Sequence, residues 1–168
     1  DKGMKKYSNS YFARYPNVWC HGDYVKLMES GGMIFYGRSD TTLNRGGIRI
    51  GTAEIYRQVE LLSEVLESIV VEQNLGDDSR IILFVKLDKD KQLSLSLKEK
   101  IVNQIRTNTT PRHVPDLILQ VSDIPRTKSG KIVELAVQKA INKQPINNKT
   151  ALENPEALDE YYHHEGLL

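Results

Sequence analysis

The sequence has little from which a disulfide, a membrane span or a secretion signal could be built. Its one cysteine, Cys20, cannot form a disulfide within the chain. No apolar run approaches the roughly 20 residues that a helix needs to cross a bilayer. The cations of residues 1–16 are not followed by the apolar segment of a signal peptide. We therefore expect a cytoplasmic protein with no membrane contact.

An excess of positive charge is also missing. The chain has 23 Lys and Arg against 22 Asp and Glu, a net charge of +1, whereas a dedicated nucleic-acid binder usually carries a clear basic excess. Its 168 residues suit one domain with tails, and the 39% of hydrophobic residues are enough for a modest core. Because the sequence begins with Asp1 and not with methionine, we expect a piece of a longer protein.

The apolar patterns predict an α+β fold. A hairpin is expected where residues 25–28 and 33–37 flank Gly31 and Gly32. Three apolar, largely β-branched runs predict strands: residues 69–71, 81–87 and 117–121. Three stretches with apolar spacings of three and four predict helices: residues 52 to about 66, 97–105 and 132 to about 141. The expected fold is therefore a β-hairpin plus a roughly three-stranded sheet flanked by helices.

Both ends of the chain lack a strong periodic pattern. Residues 1–22 are expected to be irregular, with aromatic side chains between polar ones. The tail from Asn142 onward is polar and carries Pro145 and Pro155, so we expect it to pack on something other than the core. The compact unit should span about residues 38–143.

The segment 125–132, PRTKSGKI, places three cations, two hydroxyls and one glycine in a short turn before a predicted helix. Such a turn can bend at Gly130 and project Lys131 as a point charge toward an anion. The alternative is a solvated basic loop.

Two other segments have residue types suited to a nucleotide. In residues 37–50, Gly46 and Gly47 permit a tight turn, and Arg38 and Arg49 can each bind a phosphate or ribose oxygen with two hydrogen bonds. In residues 19–23, Asp23 follows a glycine before a strand, where a carboxylate could accept hydrogen bonds from ribose hydroxyls. The alternatives are a hairpin with surface arginines and an ordinary turn residue.

Other reactive residue types are less informative. Cys20 beside Trp19 favours packing over nucleophilic chemistry, because no partner base is evident for it or for His21. His163 and His164 are adjacent in the tail, and two histidines do not make a metal site. We therefore predict no metal site in this chain.

Taken in order, these segments resemble the C-terminal motifs of the acyl-adenylate-forming enzymes. The series is W-x-x-G-D, then G-R-x-D-x-x-x-N-x-x-G-x-R-I-G-x-x-E-I, then P-R-T-x-S-G-K-I. Asn44 and the segment 51–55 are typical of the acetyl-CoA synthetase branch. Four segments resemble its acetoacetate-activating members: residues 11–23, 52–60, 111–116 and 154–159. Arg45 departs from the pattern, which has proline there.

The resemblance implies a role for each matching residue. Lys131 would be catalytic in adenylation, near the carboxylate and the α-phosphate. Asp23 and Arg38 would bind ATP and the adenylate. Gly47 would line the passage for the pantetheine of CoA, with Arg49 near the phosphates. Asp40 would be the hinge.

The resemblance also implies a domain organisation and partners. Residues 1–37 would be the end of a large N-terminal domain with the hairpin, 38–143 a mobile C-terminal domain, and 144–168 a C-terminal extension. The substrates would be ATP, CoA and a short acid, acetoacetate or alternatively acetate. Mg²⁺ would have ligands outside this chain, and the isolated chain would be inactive. The other class left open is a non-catalytic anion- or nucleotide-binding module.

Overall fold

The computed structural model describes residues 2–146 and 148–167. The helices are α1 (Lys2–Tyr11), α2 (Thr52–Val59), α3 (Leu95–Asn108), α4 (Glu134–Ile141) and α5 (Ala157–His163). The strands are β1 (Asp23–Leu27), β2 (Met33–Arg38), β3 (Leu43–Arg45), β4 (Ile48–Ile50), β5 (Val65–Leu75), β6 (Asp78–Leu87) and β7 (Leu117–Gln120). Short 3-10 helices cover Pro111–His113, Lys149–Ala151 and Glu165–Leu167. Within the described ranges, no helix is long and apolar enough to cross a bilayer.

The centre of the fold is a three-stranded sheet in the order β5-β6-β7. β5 and β6 are antiparallel and are joined at Gly76, whose φ of 75° lies in the region that favours glycine. β6 and β7 are parallel, so the chain must cross over between them, and helix α3 makes that crossing. The three predicted strands and their α+β class are confirmed.

Helices cover both faces of this sheet. On one face, Val70 and Leu83 pack with Ile55 of α2 and Ile101 of α3. On the other face, the side chains that alternate with these pack against α4 and α5: Ile69, Val71, Ile82 and Phe84. Because both faces are buried, residues 81–85 of β6 form a continuous apolar run.

Two small hairpins precede the sheet. β1 pairs with β2, as the glycine turn predicted, and β3 pairs with β4. The β3–β4 turn has Gly46 at φ 59° and Gly47 at φ 80°, the two positive angles that a tight two-residue hairpin requires.

Two predicted element boundaries are wrong. Residues 1–22 are not irregular throughout, because α1 occupies Lys2–Tyr11 and places Tyr11 on Trp19, with ring centroids 4.0 Å apart. The helix that starts at Thr52 ends at Val59 instead of about Leu66. Leu66 shares the helical spacing but lies in β5 and is 51% exposed, so the periodicity continued by chance past the end of the helix.

The expectation that the tail packs on something other than the core is also wrong. Leu152, Leu158 and Tyr161 are buried in the same cluster as the sheet. The ring of Tyr161 meets Phe84 edge-on at a centroid distance of 4.8 Å, and its hydroxyl donates to the Asp123 carbonyl at 2.9 Å. The few apolar residues of the tail are thus brought into the core when α5 packs on the sheet. The proposed domain boundaries, one after residue 37 and one after residue 143, stay a prediction.

Candidate functional site

Hairpin β1–β2 brings together three of the residues that the motifs single out. Its register places Asp23 opposite Arg38, with Nη1 of Arg38 3.5 Å from Oδ1 of Asp23. Arg38 also donates from Nε to Asp40 at 3.2 Å and from Nη1 to the His21 carbonyl at 2.9 Å. The hydrogen bond to Asp40 is the main cause that raises the pKa of Arg38, and Asp23 adds to it. The three side chains form one charged cluster.

The turn before β1 fixes the second oxygen of Asp23. His21 Nδ1 lies 2.5 Å from Oδ2 of Asp23. Between them, Gly22 has φ 85°, and a Cβ there would lie 2.7 Å from Nη2 of Arg38. Only glycine allows the guanidinium to lie this close to the backbone. The carboxylate of Asp23 is therefore held from both sides.

A cavity of about 670 Å³ lies beside this cluster. Asp23, His21, Ser39 and Arg14 are among its polar lining residues, and Arg49 borders it from strand β4. Its apolar lining is unusually exposed for such side chains: Val18 58%, Trp19 47%, Met33 59% and Phe35 52%. An apolar surface with an adjacent carboxylate and guanidinium suits a ligand that has a flat ring and a sugar.

Arg45, which departs from the family pattern, connects hairpin β3–β4 to the sheet. It donates to the Val114 carbonyl at 2.7 Å and forms an ion pair with Asp116. Asp116 in turn accepts a hydrogen bond from the backbone of Ile81 at 2.7 Å. This anchoring leaves Gly47 and Arg49 exposed at the end of the hairpin.

The residue after the predicted hinge is bonded to helix α4. Thr41 donates its hydroxyl to Oε2 of Glu134, and Tyr56 donates to Oε1 of the same carboxylate at 2.6 Å. The Tyr56 oxygen also accepts from the Val70 backbone at 3.1 Å. Burial, together with the Glu134 charge, holds the pKa of Tyr56 well above its ordinary value. Glu134 of α4 is therefore an acceptor shared by Thr41 and by Tyr56 of α2.

Lys131 lies in a hydrogen-bonded turn. Arg126 and Ile132 form an antiparallel bridge, and Thr127 donates its N–H to the Lys131 carbonyl at 2.8 Å. Gly130 has φ 78°, which allows the chain to reverse. The Lys131 side chain is exposed and, among the residues that the structure describes, has no hydrogen bond or ion pair. Its backbone is fixed while its ammonium is free to meet an anion.

The structure brings the predicted residues together only in part. Asp23, Arg38 and Asp40 form one cluster, and Arg49 borders the adjoining cavity. Lys131 and Gly47 are not among the residues that line that cavity. In the described part of the chain, no group of three acidic, histidine or cysteine side chains could hold a metal ion. His164 is engaged elsewhere, with Nε2 3.0 Å from the Gln120 carbonyl.

Some residues that organise the site were not predicted. Glu134, Tyr56 and Asn154 hold the segment after Asp40 and the Lys131 turn through polar contacts. In these three contacts the two partners are 93, 78 and 28 residues apart in sequence. The one available signal is the position of Glu134, at the start of a helix three residues after Lys131.

Comparison with known proteins identifies the family. Residues 58–131 match the model of the AMP-binding enzyme C-terminal domain. The chain contains a domain of this family. Its match begins after hairpin β3–β4 and ends at Lys131, so it contains the central sheet and the basic turn.

The similarity to individual proteins extends over nearly the whole chain. The acetoacetyl-coenzyme A synthetase of Rhizobium meliloti (strain 1021) is 54% identical over 159 residues, which are 95% of this chain and 24% of that protein. The acetoacetyl-CoA synthetase of Caenorhabditis elegans is 44% identical over 96% of this chain and 23% of that protein. The solved structure of acetoacetyl-CoA synthetase from Streptomyces lividans has a TM-score of 0.87 and 39% identity, covering 96% of this chain and 25% of that one. The chain thus spans about a quarter of the length of these relatives.

Proposed function

We propose that this chain is the C-terminal part of an ATP-dependent acid–CoA ligase that activates acetoacetate. The observation that carries the proposal is Lys131, whose ammonium has no partner among the described residues and which lies at the end of a hydrogen-bonded turn. The chain that contains it is 54% identical over 159 residues to an acetoacetyl-coenzyme A synthetase. The resemblance of the motif series to adenylate-forming enzymes supports the same reaction. The acid itself rests on the names of the relatives, and acetate is the alternative within the class.

The proposed reaction has two steps. A carboxylate oxygen of the acid attacks the α-phosphorus of ATP, the bond to pyrophosphate breaks, and an acyl-adenylate forms. The thiol sulfur of CoA then attacks the acyl carbon, its proton is lost, and AMP leaves. The first step brings two anions together, so a lysine ammonium at the reacting oxygens lowers its barrier. Lys131 is assigned to this step.

The other predicted residues are assigned to binding and movement. Asp23 and Arg38 would hold the ribose and phosphate of the nucleotide, beside the apolar cavity that suits an adenine ring. Gly47 and Arg49, exposed on hairpin β3–β4, would meet CoA. Asp40 would be the hinge, with the chain on its C-terminal side fastened by Thr41 to Glu134.

The proposed partner of this chain is a preceding domain of the same protein. Exposed apolar side chains of α1 and β1 that do not line the cavity support a covering partner there: Met4, Tyr7 and Leu27. That domain would supply the acid pocket and the ligands of Mg²⁺, for which the described residues offer no cluster. We propose a cytoplasmic enzyme, which the single half-buried Cys20 supports.

The test uses the full-length protein and the exchange of labelled pyrophosphate into ATP in the presence of acetoacetate. Lys131→Ala should slow this exchange by about 100- to 1000-fold, the usual cost of removing one group that stabilises an anionic transition state. Lys128→Ala is the matched control, since it removes an exposed lysine from the same turn. Equal rates for Lys131→Ala and the control would contradict the assignment.

Two further measurements complete the test. Thioester formation with acetoacetate, acetate and related short acids identifies the substrate. The chain of residues 1–168 alone, given ATP, acetoacetate, CoA and Mg²⁺, should form no thioester above background. Activity of that chain would show that no further domain is needed.

A further inference from the structure

The C-terminal extension contacts the turn that carries Lys131. Thr127 and Leu152 form an antiparallel bridge. Lys128 donates its N–H to the Ala151 carbonyl at 3.3 Å, and Glu153 donates to the Arg126 carbonyl at 2.9 Å. The stem of the turn is therefore the middle strand of a small ribbon, between its own returning strand and the extension.

Asn154 closes this ribbon at its base. Its Oδ1 accepts from the backbone N–H of Arg126 at 2.8 Å. Its Nδ2 donates to Oδ2 of Asp123 at 2.5 Å and to the Ile124 carbonyl at 3.0 Å. One side chain thus binds three groups of the segment that leads into the turn. A smaller side chain would leave these groups without that partner.

The extension is itself anchored in the core. Leu152, which bridges to Thr127, is 6% exposed, and Leu158 is fully buried. At the far side of the extension, Glu160 accepts from the backbone of Ser122 at 2.9 Å and from its hydroxyl at 2.5 Å. The ribbon therefore rests on a rigid support and not on a loose tail.

The remaining contacts within the turn hold its backbone and do not involve the side chain of Lys131. Arg126 donates to the Gly130 carbonyl at 2.8 Å and to Oε1 of Glu67 at 2.6 Å. Lys131 has its N–H bonded to the Thr127 hydroxyl at 3.1 Å, and its ammonium has no partner in the described ranges. The backbone of the turn is therefore held on several sides, while the Lys131 side chain stays exposed.

We propose that the C-terminal extension positions Lys131 for adenylation, with Asn154 as the positioning residue. This inference rests on the proposed function of Lys131. The extension is then a required part of the first half-reaction, although none of its residues meets the substrate. A displacement of about 1 Å at a reacting group can cost about 100-fold in rate, so loss of the Asn154 contacts should act mainly on that step.

The activity test compares Asn154→Ala with Glu160→Ala in the full-length protein. Both variants weaken the docking of the extension, but only the first removes contacts to the stem of the turn. Asn154→Ala should slow pyrophosphate exchange by about 100-fold. Its rate of thioester formation from supplied acetoacetyl-adenylate and CoA should stay within about twofold of wild type, because that step is not assigned to Lys131. A normal rate in this step also shows that the variant is folded. Glu160→Ala should stay within about threefold in both steps, because its contacts lie outside the turn.

Two outcomes of this comparison would overturn the proposal. One is an equal loss in both half-reactions for Asn154→Ala, which would mean a general structural role. The other is an equal effect of Asn154→Ala and Glu160→Ala on exchange. The double variant Asn154→Ala/Lys131→Ala should be no slower than Lys131→Ala alone, since Asn154 acts through the lysine. A further loss in the double variant would contradict that route.

A second readout does not depend on activity. Trypsin cleavage of the full-length protein after Arg126, Lys128 and Lys131, followed by mass spectrometry, reports how firmly the turn is held. Asn154→Ala should speed these cleavages about tenfold and leave cleavage after Lys89 unchanged, as expected for a local opening. Unchanged cleavage in the turn would overturn the proposal. If instead Lys131→Ala exchanges pyrophosphate normally while Asn154→Ala still loosens the turn, the proposed function of Lys131 has failed and not the contact.

Discussion

Asp23 and Arg38 face each other across hairpin β1–β2, with the guanidinium 3.5 Å from one carboxylate oxygen, while His21 holds the other at 2.5 Å. A ribose diol would therefore meet a carboxylate already fixed in place, which reduces the cost of ordering it on binding.

Asp23→Asn in the full-length protein should raise the KM for ATP by about 10- to 100-fold, the equivalent of one charged hydrogen bond. The free energy of unfolding should change by about 1 kcal/mol or less, because ion pairs near the surface contribute little. Pyrophosphate exchange at varied ATP and urea unfolding measure the two quantities. Asp90→Asn, at an exposed site, is the control. An unchanged KM would exclude Asp23 from the nucleotide site.

The sequence predicts the fold where local patterns decide the structure. Gly31, and later Gly46 and Gly47, mark turns because few other residues adopt positive φ. The strands of the sheet can be recognised in the sequence because both faces are buried, which makes residues 81–85 of β6 continuously apolar. For the candidate site, residue types alone leave anion binding and ordinary surface turns as alternatives. The resemblance of the motif series selects the candidate residues, and their roles stay predictions.

Contacts between distant polar residues could not be predicted in this way. Glu134 meets Thr41 across 93 positions, and Arg45 meets Asp116 across 71. Such pairs follow no period, and each depends on how the sheet and helices pack. The burial of the extension was missed for the same reason, because its apolar residues are few and meet only when α5 lies on the sheet.

Leu158 tests whether the extension belongs to the core. It is 0% exposed within the cluster that contains Phe84 and Tyr161. Leu158→Ala should lower the free energy of unfolding of the 168-residue chain by about 2–5 kcal/mol, the usual cost of a cavity of this kind. Urea unfolding followed by circular dichroism measures it. Leu95→Ala, at a position that is 80% exposed, should change it by about 0.5 kcal/mol or less. Similar values for the two variants would contradict the buried position of Leu158.

Asp123 gives the fold a dependence on acid pH. Burial opposes its ionisation, but hydrogen bonds from Lys86 and Asn154 outweigh burial and hold the pKa of Asp123 below its ordinary value. A carboxyl group with a pKa that is lower in the folded state stabilises the fold above the unfolded pKa, about 3.9, and this contribution is lost as pH falls through the folded pKa.

The free energy of unfolding of the chain should therefore fall as pH drops below about 4, and Asp123→Asn should make this fall smaller. Urea unfolding at a series of pH values between about 6 and about 2, a range that contains the ordinary carboxyl pKa, measures how far the free energy of unfolding falls. Asp90→Asn removes the same charge from an exposed position and serves as the control. The prediction fails if Asp123→Asn and Asp90→Asn change the pH profile equally.

Glu134 should be a strong determinant of stability, because two hydroxyl groups from different elements donate to its carboxylate. Glu134→Leu keeps a side chain of similar size but leaves Thr41 and Tyr56 without that acceptor. Each polar group that loses its partner at a partly buried site costs about 1–3 kcal/mol, so the free energy of unfolding should fall by about 2 kcal/mol or more. Glu99→Leu, on an exposed face of α3, should have a much smaller effect.

A double-mutant cycle separates the hydrogen bond from other effects of the substitution. Tyr56→Phe in the wild-type chain removes the donor and leaves the Glu134 oxygen unpaired, so it should be destabilising. In the Glu134→Leu background the same change removes a hydroxyl that has already lost this acceptor, and its cost should be smaller by about 0.5–3 kcal/mol. Additive effects would show that the 2.6 Å contact contributes nothing to stability. The segment after Asp40 would then be held to α4 by the hydrogen bond from Thr41 to Glu134.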